Sequence, residues 1–356
     1  MTPAKGPGAR TAPVIALDVM SGDAGAEVAI TAADIAAERY PSLQFRLHGK
    51  ESVMAPVLAR LPRLAARATL VHTDDVVLMT DKPSQALRRS RTSSMGMAID
   101  SVKQGEADAA VSAGNTGALM AMALFALRTM PGIDRPALAA LLPTLKNDSV
   151  VLDLGANTEC DAENLVQFAV MGAAFARTVL GLERPRVALL NIGEEELKGT
   201  DELKDAAALL RSADLPMQFA GFVEGDKIGQ GDVDVVVTDG FSGNIALKTA
   251  EGTGKLVVGL LTAAFKSSLL AQIGYLLSRP ALSALRAHLD PNAHNGAVFL
   301  GLNGLVVKSH GSANARGIAN AIGVAHDLIK DNVSTRISHD LASFQAHRPV
   351  AVATAK

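Results

Sequence analysis

The sequence predicts an α/β protein of three layers, α/β/α, built on a largely parallel sheet. Three observations lead there. From residue 14 onward, short apolar runs rich in β-branched residues alternate with longer helical patterns. Several runs are apolar at consecutive positions, as strands covered on both faces are. The runs also finish on Gly, Asn, Asp, Ser or Glu, the residues of strand-to-helix turns.

The elements follow in order. VIALDV at 14 reads as a strand, a helix spans 26 to 39, LQFRLHG at 43 is a second strand, a helix spans 51 to 60, and ATLVHT at 68 is a third strand. One long helix is expected over 84 to 104. The stretch ADAAVSAGNTGALMAMALFAL, Ala107 to Leu127, reads as strand, polar loop and helix. Then come strands PALAALLP at 136 and SVVLDLG at 149, a helix over 162 to 180, RVALLNIG at 186, a helix over 200 to 212, MQFAGFVEG at 217, VDVVVTDG at 233 and a helix over 243 to 265. Residues 1 to 13 and 342 to 356 carry no periodicity and are expected to be loose tails around a catalytic unit of 14 to 341.

Composition narrows the function. With 48% hydrophobic residues in 356, the chain can bury a large core. A net charge of −2, no Trp and two Tyr remove the features of a nucleic-acid binder. Cys160, the one cysteine, forms no internal disulfide and no CxxC zinc site, and a small Cys after a strand is most simply a packing residue. The start, MTPAKGPGARTAP, has no apolar leader, which makes the cytoplasm the expected compartment.

The loop inside Ala107 to Leu127 carries the chemistry. Ser112, Gly114, Asn115, Thr116 and Gly117 place hydroxyls, a carboxamide and permissive glycines where a helix begins, so free N–H groups and the positive dipole end face an anion. Ordinary capping explains the same residues equally well. LDVMSGD, VSAGNTG, LDLGANTE, LLNIGEEELKG, FVEGD and VTDGFSGN are all polar strand ends, and in open parallel sheets ligands sit outside such ends. A shared cleft on one edge is therefore expected, lined by Asn157, Glu159, Asn191, Glu194, Lys198, Asp239, Ser242 and Asn244. GxxxxGK[ST], GxGxxG, GxSxG, HExxH and EF-hand spacings are all missing. Asp18, Asp23 and Asp239 could be read as a metal cluster, but an acidic site would repel phosphate unless a metal intervened, and capping explains Asp23, so no metal site is expected.

Five blocks form a recognisable set: RTSSMGMAIDSVKQGEADAAVSAGNTGALMA, VLDLGANTECDAENLVQFAVMG, PRVALLNIGEEELKGTDELKDAAALL, DVVVTDGFSGNIALKTAEG and GLNGLVVKSHGSANARGIANAI. Together, over about residues 14 to 330, they resemble the phosphate acyltransferases of bacterial glycerolipid synthesis, which make acyl phosphate from acyl-acyl carrier protein and inorganic phosphate. The resemblance implies a fold akin to phosphate acetyltransferases and isopropylmalate dehydrogenases, a homodimer, cytosolic with some membrane association, and no metal or organic cofactor. A downstream acyltransferase would use the acyl phosphate. Two departures stand out: DVMSGDAGAEV has Ser21 in place of a Gly and lacks a following Pro, and HNGAVFLG has His294 and Asn295 in place of Tyr and Gly and Val298 in place of Pro. An isopropylmalate-type dehydrogenase is the alternative enzyme, disfavoured by the missing nucleotide fingerprint; a non-enzymatic carrier or membrane scaffold is the third reading.

The implied reaction is attack of phosphate oxygen on a thioester carbonyl. A thiolate of pKa ~8.5 leaves readily, so the site must supply an anion pocket, orientation and oxyanion donors. The anion pocket is assigned to Ser112, Asn115 and Thr116, with Asn157 beside them and Lys198 or Lys308 as the balancing cation. His310, in KSHG, is a candidate oxyanion or proton donor, with a structural loop histidine as the alternative; Asn191 and Asn244 join Lys308 and His310 on the catalytic side. Arg88, Arg89 and Arg91 beside Lys82 are expected to form a docking patch for the acidic carrier, with a solvated helix face as the alternative reading. In residues 255 to 289 the only charges are Lys255, Lys266, Arg279 and Arg286, and Ser267, Ser268 and Pro280 are expected to break it into a helical hairpin. Its apolar face, at Leu269, Leu270, Ile273, Leu276 and Leu277, is assigned to a second subunit or to a membrane surface.

Overall fold

The computed structural model describes residues 12 to 288 and 290 to 346, so both termini, Leu289 at the end of the expected hairpin, and the side chains of Ala284, Arg286 and Ala346 lie outside the described residues. The chain opens with β1 (Val14–Asp18), α1 (Gly25–Arg39), β2 (Gln44–Gly49), α2 (Glu51–Leu58), α3 (Pro62–Ala65) and β3 (Ala68–His72). Next come α4 (Pro83–Arg88), α5 (Ser94–Lys103), β4 (Ala109–Ser112), α6 (Thr116–Leu127), β5 (Ala137–Leu142) and β6 (Ser149–Leu152). The second half holds α7 (Ala162–Val179), β7 (Arg186–Leu190), α8 (Asp201–Ser212), β8 (Gln218–Val223), a 3-10 turn at Ile228–Gln230 and β9 (Val235–Val237). It ends with α9 (Gly240–Lys266), α10 (Leu269–His288), β10 (Ala297–Leu300), β11 (Leu305–Lys308), α11 (Ala315–Lys330) and α12 (Val333–Ala346).

One 11-stranded sheet runs β3-β2-β1-β4-β11-β10-β5-β6-β9-β7-β8. Because strand side chains alternate, each strand feeds two cores. Leu17, Val111 and Val307 belong to the core beneath α1, α7 and α11; Ala16, Ala110 and Val306 belong to the one beneath α5 and α6. All are buried, which explains the uninterrupted apolar runs and makes the three layers. Helix α7 is buried almost all round, and a Cβ on Gly172 would lie 2.7 Å from Val235, so only glycine lets helix and strand approach this closely.

Strand direction corrects one expectation. β11 runs parallel to β4, but β10 is antiparallel to β11, β5 to β10 and β6 to β5. The group β6, β9, β7 and β8 therefore runs opposite to β1, β2, β3, β4 and β11. The six polar strand ends do not share an edge: those of β1 and β4 lie on one rim, and those of β6, β7, β8 and β9 on the other. Turn chemistry marks where a strand stops and is silent about its direction.

Three element boundaries also differ. The expected helix over 84 to 104 is two helices, because the Ser93 hydroxyl accepts the Gly96 N–H and starts α5 afresh, while Arg89 and Thr92 bond Asp75 in the break. A Cβ on Gly96 would lie 1.9 Å from the Ser90 carbonyl, so the break is built around that glycine. The expected loose end from 342 is helical as far as Ala346, with Leu341 and Phe344 buried and α12 packed on α7. The hairpin breaks at Ser267 and Ser268 but not at Pro280, which sits inside α10, where an exposed helix tolerates one missing backbone bond.

Candidate functional site

Three loops leave the same rim, after β1, β4 and β11, and a fourth enters it before β10. Ser112 Oγ donates to buried Asp18 at 2.7 Å and accepts the Gly114 N–H at 3.1 Å. The Ser309 N–H donates to the Ser112 carbonyl and the Asp23 N–H to the Gly311 carbonyl, each at 2.9 Å. Gly22, at φ +100°, lies where a Cβ would be 2.9 Å from that of Ala113, so only a glycine lets the β1 loop lie this close to the β4 loop. From the fourth loop, Asn295 donates to Ser309 Oγ at 2.7 Å and accepts the His310 N–H at 2.9 Å. The structure thus brings Ser112, Asn115, Thr116, Lys308 and His310 to one place.

The helix that starts there is α6. Its N-cap, Asn115, accepts the Ala118 N–H at 3.0 Å and donates to the carbonyls of Met79 at 2.7 Å and Asp81 at 3.1 Å. Both of its amide N–H groups are thereby engaged in holding the helix start against the segment before α4. Thr116 Oγ and the Thr116 and Gly117 N–H groups have no partner among the described residues, as befits a first turn open to an anion. Nearby, Ser21 Oγ is buried without a partner among the described residues and would stand 3.1 Å from a Cβ on Gly114.

Charges of both signs meet at this rim, with Lys308 and Lys248 beside Asp23 and Glu251. Lys308 is buried and donates to the Ser309 carbonyl. Burial, then Lys248, pushes its pKa down to about 8 against the opposing pull of Asp23, so it remains largely a cation near neutrality. His310 is exposed on one side; desolvation of the other, then Lys248, holds its pKa below the usual imidazole value. Its Nδ1 faces the Ser312 hydroxyl at 3.0 Å and the Ser312 N–H at 3.3 Å. Lys248 belongs to α9, which comes from β9 on the far rim and crosses to this one.

The remaining assigned residues lie on the opposite rim. Asn157 donates to the Pro136 carbonyl at 2.8 Å and to buried Asp153 at 2.9 Å. Asn191 bridges the Lys198 carbonyl at 3.1 Å and the Ile192 N–H at 2.8 Å, while Lys198 pairs with Glu195 at 3.0 Å in solvent. Asn244 is exposed beside Gly155. Asn157 and Asn191 brace the loops after β6 and β7 and Lys198 lies beside Asn191, whereas Asn244, in the first turns of α9, stands one helical turn before the Lys248 that acts on Lys308 and His310. Cys160 sits on the opposite rim too, its thiol pushed up to about 12 by burial and then by Asp153 and Asp239, which leaves it inert as a nucleophile.

The arginine patch divides. Arg89 is held by Asp75 at 3.2 Å, by Asp81 and by the Val76 carbonyl at 3.0 Å, whereas Arg88 and Arg91 are exposed. Arg89 is linked to the α6 start through Asp81, whose carbonyl accepts from Asn115, and Pro83 at the head of α4 packs against Gly117. In the hairpin, Leu269, Leu270, Ile273, Leu276 and Leu277 are 57% to 80% exposed. Among the described residues no helix is long and apolar enough to cross a membrane, and no three His, Cys, Asp or Glu gather as metal ligands.

Sequence reasoning passed over Ser21, Asn295 and Ser312. Ser21 and Asn295 fall at the two departures from the family pattern, which was the available signal; Ser312 gave none, because its role depends on the turn that follows His310.

Comparison with known proteins adds the family. Residues 14 to 336 match the family described as "Fatty acid synthesis protein". A phosphate acyltransferase of Erythrobacter litoralis is 60% identical over 332 residues, 93% of this chain and 94% of its own length. One of Parvibaculum lavamentivorans is 60% identical over 328 residues, 92% and 91% of the two chains. Among solved structures, a phosphotransacetylase from Streptococcus pyogenes superposes with a TM-score of 0.59 at 17% identity, covering 90% of this chain and 94% of that one, a likeness of fold.

Proposed function

The chain belongs to the fatty acid synthesis protein family, among relatives that are phosphate acyltransferases, and from that premise we propose that it moves a fatty acyl group from acyl-acyl carrier protein to inorganic phosphate, for phospholipid synthesis. The supporting observation is the convergence, on one rim, of a helix start with free N–H groups, a buried cation at Lys308 and the His310 ring.

In this reading phosphate sits on the first turn of α6, with Thr116 Oγ, the N–H groups of Thr116 and Gly117 and Lys308 as partners. Phosphate is mainly a dianion near neutrality, as phosphate esters with a second pKa of about 6 are, so its oxygen needs no base to attack the thioester carbonyl. A new O–C bond forms, the C–S bond breaks, and the departing thiolate takes its proton from water. Ser312 fixes the proton of neutral His310 on Nε2. A neutral imidazole has no acidic proton to give at this pH, so its role is to donate a hydrogen bond to the oxyanion. Asn115 and Asn295 position the two loops.

The carrier docks on exposed Arg88 and Arg91 beside the mouth, and the α9–α10 hairpin pairs with that of a second subunit, with its tip at the membrane surface of the cytoplasm. The labile acyl phosphate passes to a downstream acyltransferase. The test is to incubate purified protein with palmitoyl-acyl carrier protein and phosphate. Equal amounts of acyl phosphate and free carrier thiol support the proposal; thiol released without acyl phosphate defeats it.

A further inference from the structure

Helix α9 carries one face from the site out along the hairpin. Lys248, Glu251, Lys255, Val258, Thr262 and Phe265 follow one another at steps of three and four, which keeps them on one side of the helix. At the inner end, Lys248, Glu251 and Lys255 act electrostatically on the His310 ring. At the outer end the face forms one wall of a groove of about 430 Å³ between α9 and α10, with Leu261 beside it and Tyr275 and Leu282 opposite. Phe265 and Tyr275 meet edge to face across it, ring centroids 5.5 Å apart. From Lys255 to Phe265 the helix advances roughly 15 Å, at ~1.5 Å per residue.

We propose that this groove receives the hydrocarbon chain of the acyl substrate, extending the acyl-transfer reading on which it rests. The charges fit an amphiphile: Lys248 is paired with Glu251 at 3.0 Å, Lys255 is the further cation on this face before the groove, and an apolar trough follows for the tail. The size fits too, since ligand pockets span roughly 300 to 1,000 Å³. At ~30 Å³ for a water-sized unit, the groove has room for on the order of a dozen methylene-sized groups. A second copy of the chain has a different surface to occupy. Leu256, Leu260, Ile273 and Leu277 point away from the groove and are exposed, whereas Val258, Leu261, Thr262 and Phe265 face inward and are half-buried.

The test uses the full chain, dansyl-labelled fatty acids of increasing length, and initial rates with butyryl to palmitoyl carrier substrates. Probe affinity and kcat/KM are expected to climb by up to about fourfold per methylene, the ~0.8 kcal/mol of its burial, and then level off. Thr262→Trp and, independently, Leu282→Phe fill the groove and are expected to weaken the long chain about tenfold while leaving butyryl transfer within about twofold; Leu256→Trp, on the outer face, leaves the profile as in the parent. A flat chain-length profile in the parent protein overturns the proposal. So does an unchanged profile in both groove variants, or a loss of dimer in them with probe binding intact, which would give the groove to the second copy. If no chain yields acyl phosphate, the activity reading falls, while the probe titration still decides the groove.

Discussion

Ser312 holds the His310 ring with two groups, its Oγ at 3.0 Å and its N–H at 3.3 Å from Nδ1. A backbone N–H only donates, so Nδ1 accepts and the ring proton stands on Nε2, facing outward. Ser312→Ala keeps the N–H contact and is expected to lower kcat by about threefold to tenfold, with the phosphate KM unchanged. His310→Ala is expected to cost about 10² to 10³ in kcat. Because the His310 pKa is lowered, the neutral ring persists below the usual imidazole midpoint, and the acid limb of kcat should fall at a pH under 6.5. Loss of kcat as pH rises through the imidazole range, with no acid limb, would mean that the protonated ring does the chemistry.

Asn115 and Thr116 adjoin in sequence and separate in role. Asn115→Ala removes a helix cap and two bonds to the α4 approach, so unfolding free energy should drop by about 1 to 2 kcal/mol together with weaker phosphate use. Thr116→Val keeps the shape and loses one unengaged hydroxyl; phosphate KM should rise about threefold to tenfold with stability within about 0.5 kcal/mol. Paired denaturation and phosphate titration separate the two, and equal stability losses would remove the distinction.

Arg88 and Arg91 can be reversed safely, and Arg89 cannot. Arg88→Glu with Arg91→Glu should raise the carrier KM and flatten its salt dependence without altering the melting temperature. Arg89→Glu places a third carboxylate against Asp75 and Asp81 and should lower the melting temperature first. A double variant with parental KM and salt slope would move the docking patch elsewhere.

For the hairpin, Leu269→Glu with Leu276→Glu puts charge on its most exposed apolar surface. Sedimentation and flotation with anionic vesicles should show a lost dimer, or an intact dimer that no longer binds vesicles. Parental behaviour in both would leave the surface without an assigned partner.

Much of the fold was legible because burial writes itself into composition: the runs at Ile15 to Leu17, Val150 to Leu152 and Val235 to Val237 are apolar throughout since both faces are covered. Direction was not legible. Nothing in LDLGANTE or LLNIG records that two intervening antiparallel strands turn their sheet half around, so Asn157, Asn191 and Lys198 looked like neighbours of Ser112. The break after Arg88 was hidden because Ser93 caps from within an otherwise helical pattern. At the site, Lys308 and His310 were readable from KSHG, whereas Asn295 acts through a loop that folds back beside them across 15 residues of chain.

Lys308 separates the two rims in a single assay: phosphate-saturation kinetics of acyl phosphate formation for Lys308→Met beside Lys198→Met, each above and below the parent's Lys308 pKa of about 8. Anion binding needs the charged amine, so the parent's phosphate KM should rise as pH passes that value. Stability should move the other way: the folded state binds fewer protons than the unfolded one between about 8 and the ordinary 10.5, so the fold gains as pH rises across that window. Lys308→Met is expected to raise the phosphate KM about tenfold to a hundredfold and to abolish its pH dependence, while Lys198→Met stays within about twofold of the parent. A large rise in Lys198→Met with a parental Lys308→Met would place the phosphate on the other rim and contradict the assignment.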